Sequence, residues 1–577
     1  MSLLGGRFIE KKLTDKELEY YANHLSEISD GSVDFDSDDS IADPDFCSGS
    51  EISSEQSESD QEIDSDSDDI GFAEFIHQNE EDLSLFWSDC VLQFKKFQFT
   101  GTQGTLIPIE GKDVRDIYRL FLTDEIVQLM VQQTNVRARE IIANKKPRTS
   151  SRFSRWHDTN EDEMELFIGV IMLMGVINFP TIESYWKKDS IYYHEIFHKI
   201  PISYNRFTLL LKCWHFQDNT LPSTSRLDKI NPILSIIQNN IKTVYCPGDT
   251  VVVDETMVPF RGRLKFRQYN PSKARCSYGI KLYKVCTPNG YTWHLKIYDG
   301  VSTAIDGLHL PGSTVVELVR PLLNEGRMVI TDNYYTSLQL AKYLYDRNTH
   351  LLGTLRKNRR GLPEEVIIHN LRKGEIISRQ NGCITVSKWK DQRDVLFLST
   401  VHDDEMKTCG KKRNGEDKIK PSAILDWNKG KQGVDISDQF ASYYTCLRNS
   451  LTWYKKLAIE IICGTLVVNT LIIYNEQRPK KEQVSLLQIR QSLISEMLKR
   501  KSNNDGGSGG KTKKTIHILE ELPRDNNKLY RKRCHGCYGK LRGNNSASES
   551  AKKAKRVNTI CKSCNQAFCV PCFGENH

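Results

Sequence analysis

Between Glu17 and Phe94 this chain of 577 residues has no lysine or arginine at all. Residues 1–94 hold 26 acidic and 4 basic side chains, a net of −22, which leaves +28 for residues 95–577 behind a formal total of only +6. Ser and Asp/Glu dominate the acidic part in runs such as Ser65-Asp66-Ser67-Asp68-Asp69. So little apolar surface cannot offset the entropy of ordering the chain, and residues 1–94 are expected to be disordered. Two roles are open for them: a solvating tail, or an internal mimic of a polyanion that covers a basic surface. Serines beside acids also suit acid-directed phosphorylation, which adds negative charge.

An uninterrupted apolar run of bilayer length is also missing. The stretch 164–179 is too short, and 457–474 is broken by Glu460, Thr465, Asn469 and Thr470. Both are expected to be buried helices, with no membrane partner. No basic segment leading into an apolar one opens the chain, so no secretory signal is expected. Ten of the 16 cysteines are scattered singly and six fall in the last 44 residues. That distribution argues for reducing surroundings and a local metal site, against a disulfide framework. The 38% of hydrophobic residues suffices for a sizeable core, and the length suggests roughly two to four domains.

Residues 95–247 show helical apolar spacing, as in Ile117, Leu120, Phe121, Ile126, Leu129 and Met130, and again over 166–176. The period changes at Asp249. Strands are expected at 250–254, 279–286 and 291–298, an amphipathic helix at 314–324, a strand at 328–331, a helix at 338–345 and a strand at 351–355. This βββαβαβ order resembles an RNase H-like α/β core over residues 248–439. Residues of about 358–425, with strand-forming runs at 384–386 and 395–400, then form a β-rich insertion. A second helical block covers 440–500, a flexible basic linker containing GGSGG covers 501–529, and a Cys-rich segment covers 530–577.

Asp254 closes the first of these strands, Asp332 closes the fourth, and Asp435 lies in GVDISDQ at the start of a helical block. An isolated Asp at a strand end is ordinarily a cap or a turn residue. In an RNase H-like sheet, however, the first and fourth strands are neighbours, so two carboxylates converge and the third arrives from a helix beside them. Clustered carboxylates repel one another unless they share a cation. Hard oxygen donors suit Mg²⁺ or Mn²⁺, and two such ions about 3.5–4 Å apart activate a nucleophile and stabilise the leaving oxygen in phosphodiester chemistry. Arg261, Arg263, Lys265 and Arg267, then Lys273 and Arg275, follow the first Asp; Arg356, Lys357, Arg359 and Arg360 follow the strand after the second. Charge runs are commonly solvated faces, but one loop away from a carboxylate site they suit contact with a phosphate backbone.

The carboxyl end reads Cys534-x2-Cys537, then Cys561-x2-Cys564-x4-Cys569-x2-Cys572-x4-His577. A small Lys-rich module without a core of its own needs metal to fold, and this pattern points to zinc. The spacing resembles a RING or PHD-type cross-brace with two ions, one held by Cys534, Cys537, Cys569 and Cys572, the other by Cys561, Cys564 and His577. One place of eight is left over. His535 lies inside the first CxxC and is a poor candidate; water, the terminal carboxylate or another histidine remain open. Lys552-Lys553-Ala554-Lys555-Arg556 suits a nuclear localisation signal or phosphate contacts, and a nuclear location is expected.

Five segments in register, VDETMVPFRGR (253–263), YGIKLY (278–283), TDNYYTS (331–337), GTLRKNRRGLP (353–363) and GVDISDQ (433–439), resemble the piggyBac transposases. The resemblance covers roughly residues 100–577 and is greatest to piggyBac-derived proteins with a Cys-rich carboxyl end. It implies a metal-dependent DDD transposase in which Asp254, Asp332 and Asp435 bind the catalytic metals and Asp438 is a fourth acid beside them. It also implies nicking at the transposon end, closure of a hairpin by the freed 3′-OH, and attack on a TTAA target. The helical segments 95–247 and 440–500 would assemble into one dimerisation and DNA-binding domain of a homodimer. Trp453 sits where the family has a Trp near the DNA, although a core aromatic at a helix start reads equally well. The family uses its Cys-rich domain to read terminal inverted repeats, whereas PHD-like folds read histone tails; both stay open. A domesticated DNA- or chromatin-binding protein that no longer cuts, and a structure-specific nuclease without strand transfer, are the alternatives to a transposase.

Overall fold

The computed structural model describes residues 86–89, 96–145, 151–270, 278–301, 304–411, 417–448, 451–499, 519–522, 531–542, 546–561 and 566–576. Most of the acidic segment, the greater part of the linker, and Lys273, Arg275, Cys564 and His577 lie outside the described residues. The chain divides into two units, residues 1–501 and 502–577.

The first unit is organised by β1 (Thr250–Pro259), whose β-branched run TVVVD suits a strand buried on both faces. Around it lie β2 (Gln268–Tyr269), β3 (Tyr278–Cys286), β4 (Thr292–Ile297), β5 (Met328–Thr331), β6 (His350–Thr354), β7 (Ile376–Asn381), β8 (Ile384–Lys390) and β9 (Asp394–Ser399). They form one nine-stranded sheet in the order β2-β3-β1-β5-β6-β9-β8-β7, with β4 paired to β3. The pairs β1–β5 and β5–β6 are parallel; β1–β3 is antiparallel. The expected βββαβαβ order is present. Its first helix runs Leu310–Val319 and then tightens into a 3-10 turn, Arg320–Leu322, instead of covering 314–324. Pro311 explains the earlier start, because a proline in the first turn gives up no intrahelical hydrogen bond.

The segment 358–425, expected as a β-rich insertion, does carry strands, and they join the core sheet: β9 pairs with β6 through Phe397–Thr354 and Leu398–Gly353, so β7 to β9 extend the sheet itself. An uncovered β6 edge would present unpaired N–H and C=O groups, which β9 takes up. One expectation is corrected here. The acidic segment, expected to be disordered through residue 94, is ordered at 86–89. Ser88 exchanges two backbone hydrogen bonds with Gln380 of β7, at 2.8 and 3.2 Å, and Asp89 pairs with Arg379 at 3.0 Å. Trp87 Nε1 donates to the Gly361 carbonyl at 3.2 Å.

The helical blocks on either side of the sheet pack into one bundle. α1 (Val114–Phe121), α2 (Asp124–Lys145), α3 (Glu161–Val176), α4 (Tyr204–Cys213) and α5 (Asn231–Val244) precede the sheet, and α6 (Leu310–Val319) and α7 (Leu338–Tyr345) cross it. α8 (Ser422–Gly430), α9 (Gly433–Tyr443), α10 (Trp453–Ile459), α11 (Leu466–Glu476) and α12 (Leu486–Leu498) follow it. α3 lies against α12 so closely that a Cβ at Gly169 would stand 2.7 Å from the Met497 Cβ. Tyr118 on α1 donates its hydroxyl to the Ile462 carbonyl at 3.0 Å. Trp453–Glu476 is long and apolar enough to cross a membrane, but 89% of its most apolar window is buried inside the protein, as a core helix requires. Asn469, one of its polar interruptions, is wholly buried and pairs with both backbone groups of Thr292, at 2.9 and 2.8 Å.

In the second unit Leu519–Glu521 pairs antiparallel with Thr559–Cys561. These three residues, expected in the linker, therefore belong to the Cys-rich module, which starts ahead of residue 530.

Candidate active site and metal centre

Asp254 and Asp332 leave the carboxyl ends of neighbouring parallel stretches. Val253 and Thr331 are partners in the β1–β5 register, and the two aspartates are the next residues along each chain. Both are half-buried. Asp332 accepts a hydrogen bond from the Tyr334 N–H at 2.9 Å. Burial, and next the Glu255 charge, push its carboxyl above the ordinary aspartate value, the signature of an acid that would gain from a nearby cation. Glu255 is in turn held by the Tyr335 hydroxyl at 2.6 Å.

Asp438 reaches the same sheet from α9. Its Oδ1 accepts from Lys284 Nζ at 2.8 Å and from the Thr256 hydroxyl at 2.8 Å. Lys284 stands opposite Asp254 in the β1–β3 register and is wholly buried. Burial works most strongly and lowers its pKa, but the charge and hydrogen bond of Asp438, together with the Cys286 and Glu460 groups, more than offset it and hold Lys284 above the usual lysine value. The helix is seated by Gly433, where a Cβ would come within 2.5 Å of the Thr287 carbonyl, and by Ser437, 2.9 Å from the Thr292 hydroxyl. Asp435 is on the first turn of α9 and exposed. The strand of Asp254 thus touches both the strand that leads to Asp332 and the helix of Asp435, though among the described residues the three carboxylates are not gathered within 4.8 Å of one another.

The basic residues divide into two kinds. Arg359 donates to the backbone carbonyls of Asn333 and Tyr334 at 3.2 and 2.6 Å, and Arg356 reaches the Asn333 side chain at 3.4 Å, so both bind the turn that carries Asp332. Lys357 and Arg360 are exposed beside them. Arg261, Arg263 and Lys265 are likewise exposed, whereas Arg267 ties its own loop by donating to the carbonyls of Arg261 and Gly262. Trp453 is corrected as a DNA contact: only 4% exposed, it packs edge-on against Phe266 at 5.3 Å and Tyr454 at 5.7 Å, so it is a core aromatic.

Sequence reasoning missed Lys284, Thr256, Glu255 and Tyr335. A signal for the first was there: period 2 puts Lys284 on one face with Ile280, Leu282 and Cys286, and a cation on an apolar face demands a buried acid.

In the second unit the sulfurs of Cys534, Cys537, Cys569 and Cys572 lie within 4.8 Å of one another, and among the described residues they are the one such group of potential metal ligands. Cys534–Cys569, Cys537–Cys569 and Cys537–Cys572 are separated by 3.7, 3.8 and 3.6 Å. A tetrahedral ion with metal–sulfur bonds of about 2.3 Å sets its sulfurs about 3.8 Å apart, whereas a disulfide requires about 2.05 Å. The geometry therefore fits a metal site made of four cysteines. Burial raises the Cys534 thiol, but the backbone N–H groups of Cys537 and Cys569 together with the thiols of the same two residues more than offset it and bring it to about 7. Cys561 is buried in the same small core, and the His535 ring lies edge-on to Phe568. The second proposed site cannot be assembled from described residues, since Cys564 and His577 lie outside them.

Comparison with known proteins agrees with this architecture. A family model described as Transposase IS4 matches residues 113–471. PiggyBac transposable element-derived protein 3 of Homo sapiens is 23% identical over 493 residues, spanning 80% of this chain and 76% of that protein. PiggyBac transposable element-derived protein 5 of Homo sapiens is 20% identical over 426 residues, spanning 70% and 78%. A piggyBac transposase solved in a synaptic complex with hairpin DNA shares the fold, with a TM-score of 0.60, 24% identity, and coverage of 81% of this chain and 98% of that one.

Proposed function

The chain belongs to the piggyBac family of transposases, and we propose that it performs cut-and-paste DNA transposition on an RNase H-like sheet. The observation that carries the reading is Asp254, midway along β1, beside Asp332 at the end of the adjacent parallel β5, with the helix of Asp435 held against β1 and β3 by Asp438. Half-buried carboxylates on contiguous elements are the donor set a hard dication takes. Mg²⁺ or Mn²⁺ bound there supplies Lewis acidity to the scissile phosphate and lowers the pKa of the attacking water. The protein's own share is to fix these acids and to hold the DNA. Arg356 and Arg359 brace the Asp332 turn, while Lys357, Arg360, Arg261 and Arg263 offer charge to the phosphates.

On this reading the substrates are the terminal inverted repeats of a transposon and a TTAA target, and the steps are end nicking, hairpin closure and strand transfer by a homodimer working in the nucleus. Zinc in the four-cysteine site folds the carboxyl-terminal module, whose exposed Lys552, Lys553, Lys555 and Arg556 contact DNA or direct nuclear import. An excision assay on a cognate element, with Asp254→Asn beside the unmodified chain, tests the proposal. Failure of the unmodified chain to excise would favour a second reading, a DNA-binding protein derived from a transposase, which the names of the two human relatives support.

A further inference from the structure

Lys284 is a lysine in the middle of a core strand with no exposed surface. Burying an ammonium group is costly unless it is paired and hydrogen-bonded, so its partner reveals its purpose. The nearest acid by sheet register is Asp254, directly opposite on β1. The ammonium instead donates to Asp438 on α9, at 2.8 Å, and the Thr256 hydroxyl, two residues past Asp254 on the same face, donates to the same oxygen. Asp438 Oδ1 is thus claimed by two protein donors from two strands. One turn before it, at the i−3 position and so on the same side of the helix, is Asp435.

We infer that Lys284 is a positioning residue: through Asp438 it clamps α9 onto β1 and β3, and so sets where Asp435 stands relative to Asp254 and Asp332. Asp438 is then the anchor of the helix and Asp435 its working acid. This rests on the reading of Asp254, Asp332 and Asp435 as metal-binding carboxylates. The clamp also places a positive charge opposite Asp254 in the sheet, where it faces the charges of both Asp438 and the nearby Glu460.

The test uses the full chain, with Lys284→Met, Asp438→Asn, Asp435→Asn and the double variant Lys284→Met/Asp438→Asn. Amide exchange over 433–443, the shift in melting temperature on adding Mn²⁺, DNA affinity and cleavage rate are read for each. Lys284→Met is expected to raise exchange in α9, weaken the Mn²⁺ shift and slow cleavage on the order of 10²-fold, the cost of a misplaced group, with DNA affinity unchanged. Asp438→Asn keeps an acceptor at Oδ1 but leaves the Lys284 ammonium without its counter-charge, so it should raise exchange in α9 as Lys284→Met does, whereas Asp435→Asn should remove the Mn²⁺ shift with exchange in α9 unchanged. Should Lys284→Met fold poorly, the double variant carries no uncompensated buried charge and reports in its place. Exchange in α9 of Lys284→Met equal to that of the unmodified chain overturns the inference, as does an Asp438→Asn variant that loses the Mn²⁺ shift as fully as Asp435→Asn with exchange in α9 unchanged, because Asp438 would then be a ligand and not an anchor. If the unmodified chain neither responds to Mn²⁺ nor cleaves, it is the catalytic reading that fails, and the positioning role falls with it.

Discussion

Val253 and Thr331 pair across the parallel β1–β5 register, so that Asp254 and Asp332 emerge side by side from two strands running the same way. Replacing either with Asn removes a charge but little volume, and neither residue reads base edges. Cleavage is expected to fall by at least about 10²-fold, since metal-assisted stabilisation of the transition state is worth several kcal/mol. Affinity for end DNA, measured by fluorescence anisotropy, should hold. Parallel loss of binding and cleavage would show that the carboxylates act through the fold.

Lys357 and Arg360 are exposed in the loop whose other arginines brace the Asp332 turn. Their double replacement by Ala should weaken DNA binding for all sequences alike. The slope of log K against log salt should become shallower by about 0.9 for each phosphate that is no longer neutralised. An unchanged slope would make this loop a solvated face. Arg359→Ala is a different experiment, because it frees two carbonyls beside Asp332 and should reduce cleavage as well as affinity.

Trp453 offers a check on burial against family analogy. Packed between Phe266 and Tyr454, it should behave as a core residue. Trp453→Ala is expected to cost about 3–5 kcal/mol of stability. Trp453→Phe, which keeps most of the apolar packing, should leave DNA affinity intact; a selective loss of DNA affinity in that variant would restore the contact role.

Zinc in the four-cysteine site requires deprotonated sulfurs, so affinity should fall as pH drops and the thiolates take up protons. Metal analysis of the full chain is expected to find bound zinc, and Cys534→Ser or Cys569→Ser should release it. Limited proteolysis should then cut the second unit while the first stays resistant. A zinc-free native chain with a protease-resistant second unit would refute the site.

The carboxylate strands were legible because TVVVD and the strand at 328–331 carry their period locally, but only Asp332 follows a strand end: β1, expected to close on Asp254, runs on to Pro259, where its pairing with β3 carries it past the acid. The CxxC pairs were legible because spacing alone limits what they can do. What escaped was non-local. Lys284 looks like an ordinary strand lysine until Asp438, 154 positions away, is brought to it. The joining of β9 to β6 depends on an edge that no window of sequence displays. Trp453 could not be settled from its neighbours in sequence, since the ring that covers it, Phe266, lies on the far side of the catalytic segment.

The segment at 86–89 gives the charge imbalance of the chain a location. Trp87 is fastened to Gly361, the residue after Arg360, and Asp89 to Arg379. Every acidic side chain of residues 1–94 other than Asp89 precedes residue 86, so residues 1–85, with 25 acidic and 4 basic side chains and a net of −21, lead directly into a segment fastened beside one of the basic loops. If those charges compete with DNA, a chain lacking residues 1–85 should bind random-sequence duplex more tightly than the complete chain. The gain should be greatest at low ionic strength, where the Debye length is longest. Phosphorylation of the tail serines should act in the opposite direction. Trp87→Ala in the complete chain separates a local effect from a long-range one: a gain in affinity from this single change shows that attachment at Gly361 matters, and a gain only on truncation assigns the effect to net charge. Equal affinity of truncated and complete chains at low salt would reduce the tail to a solvating sequence.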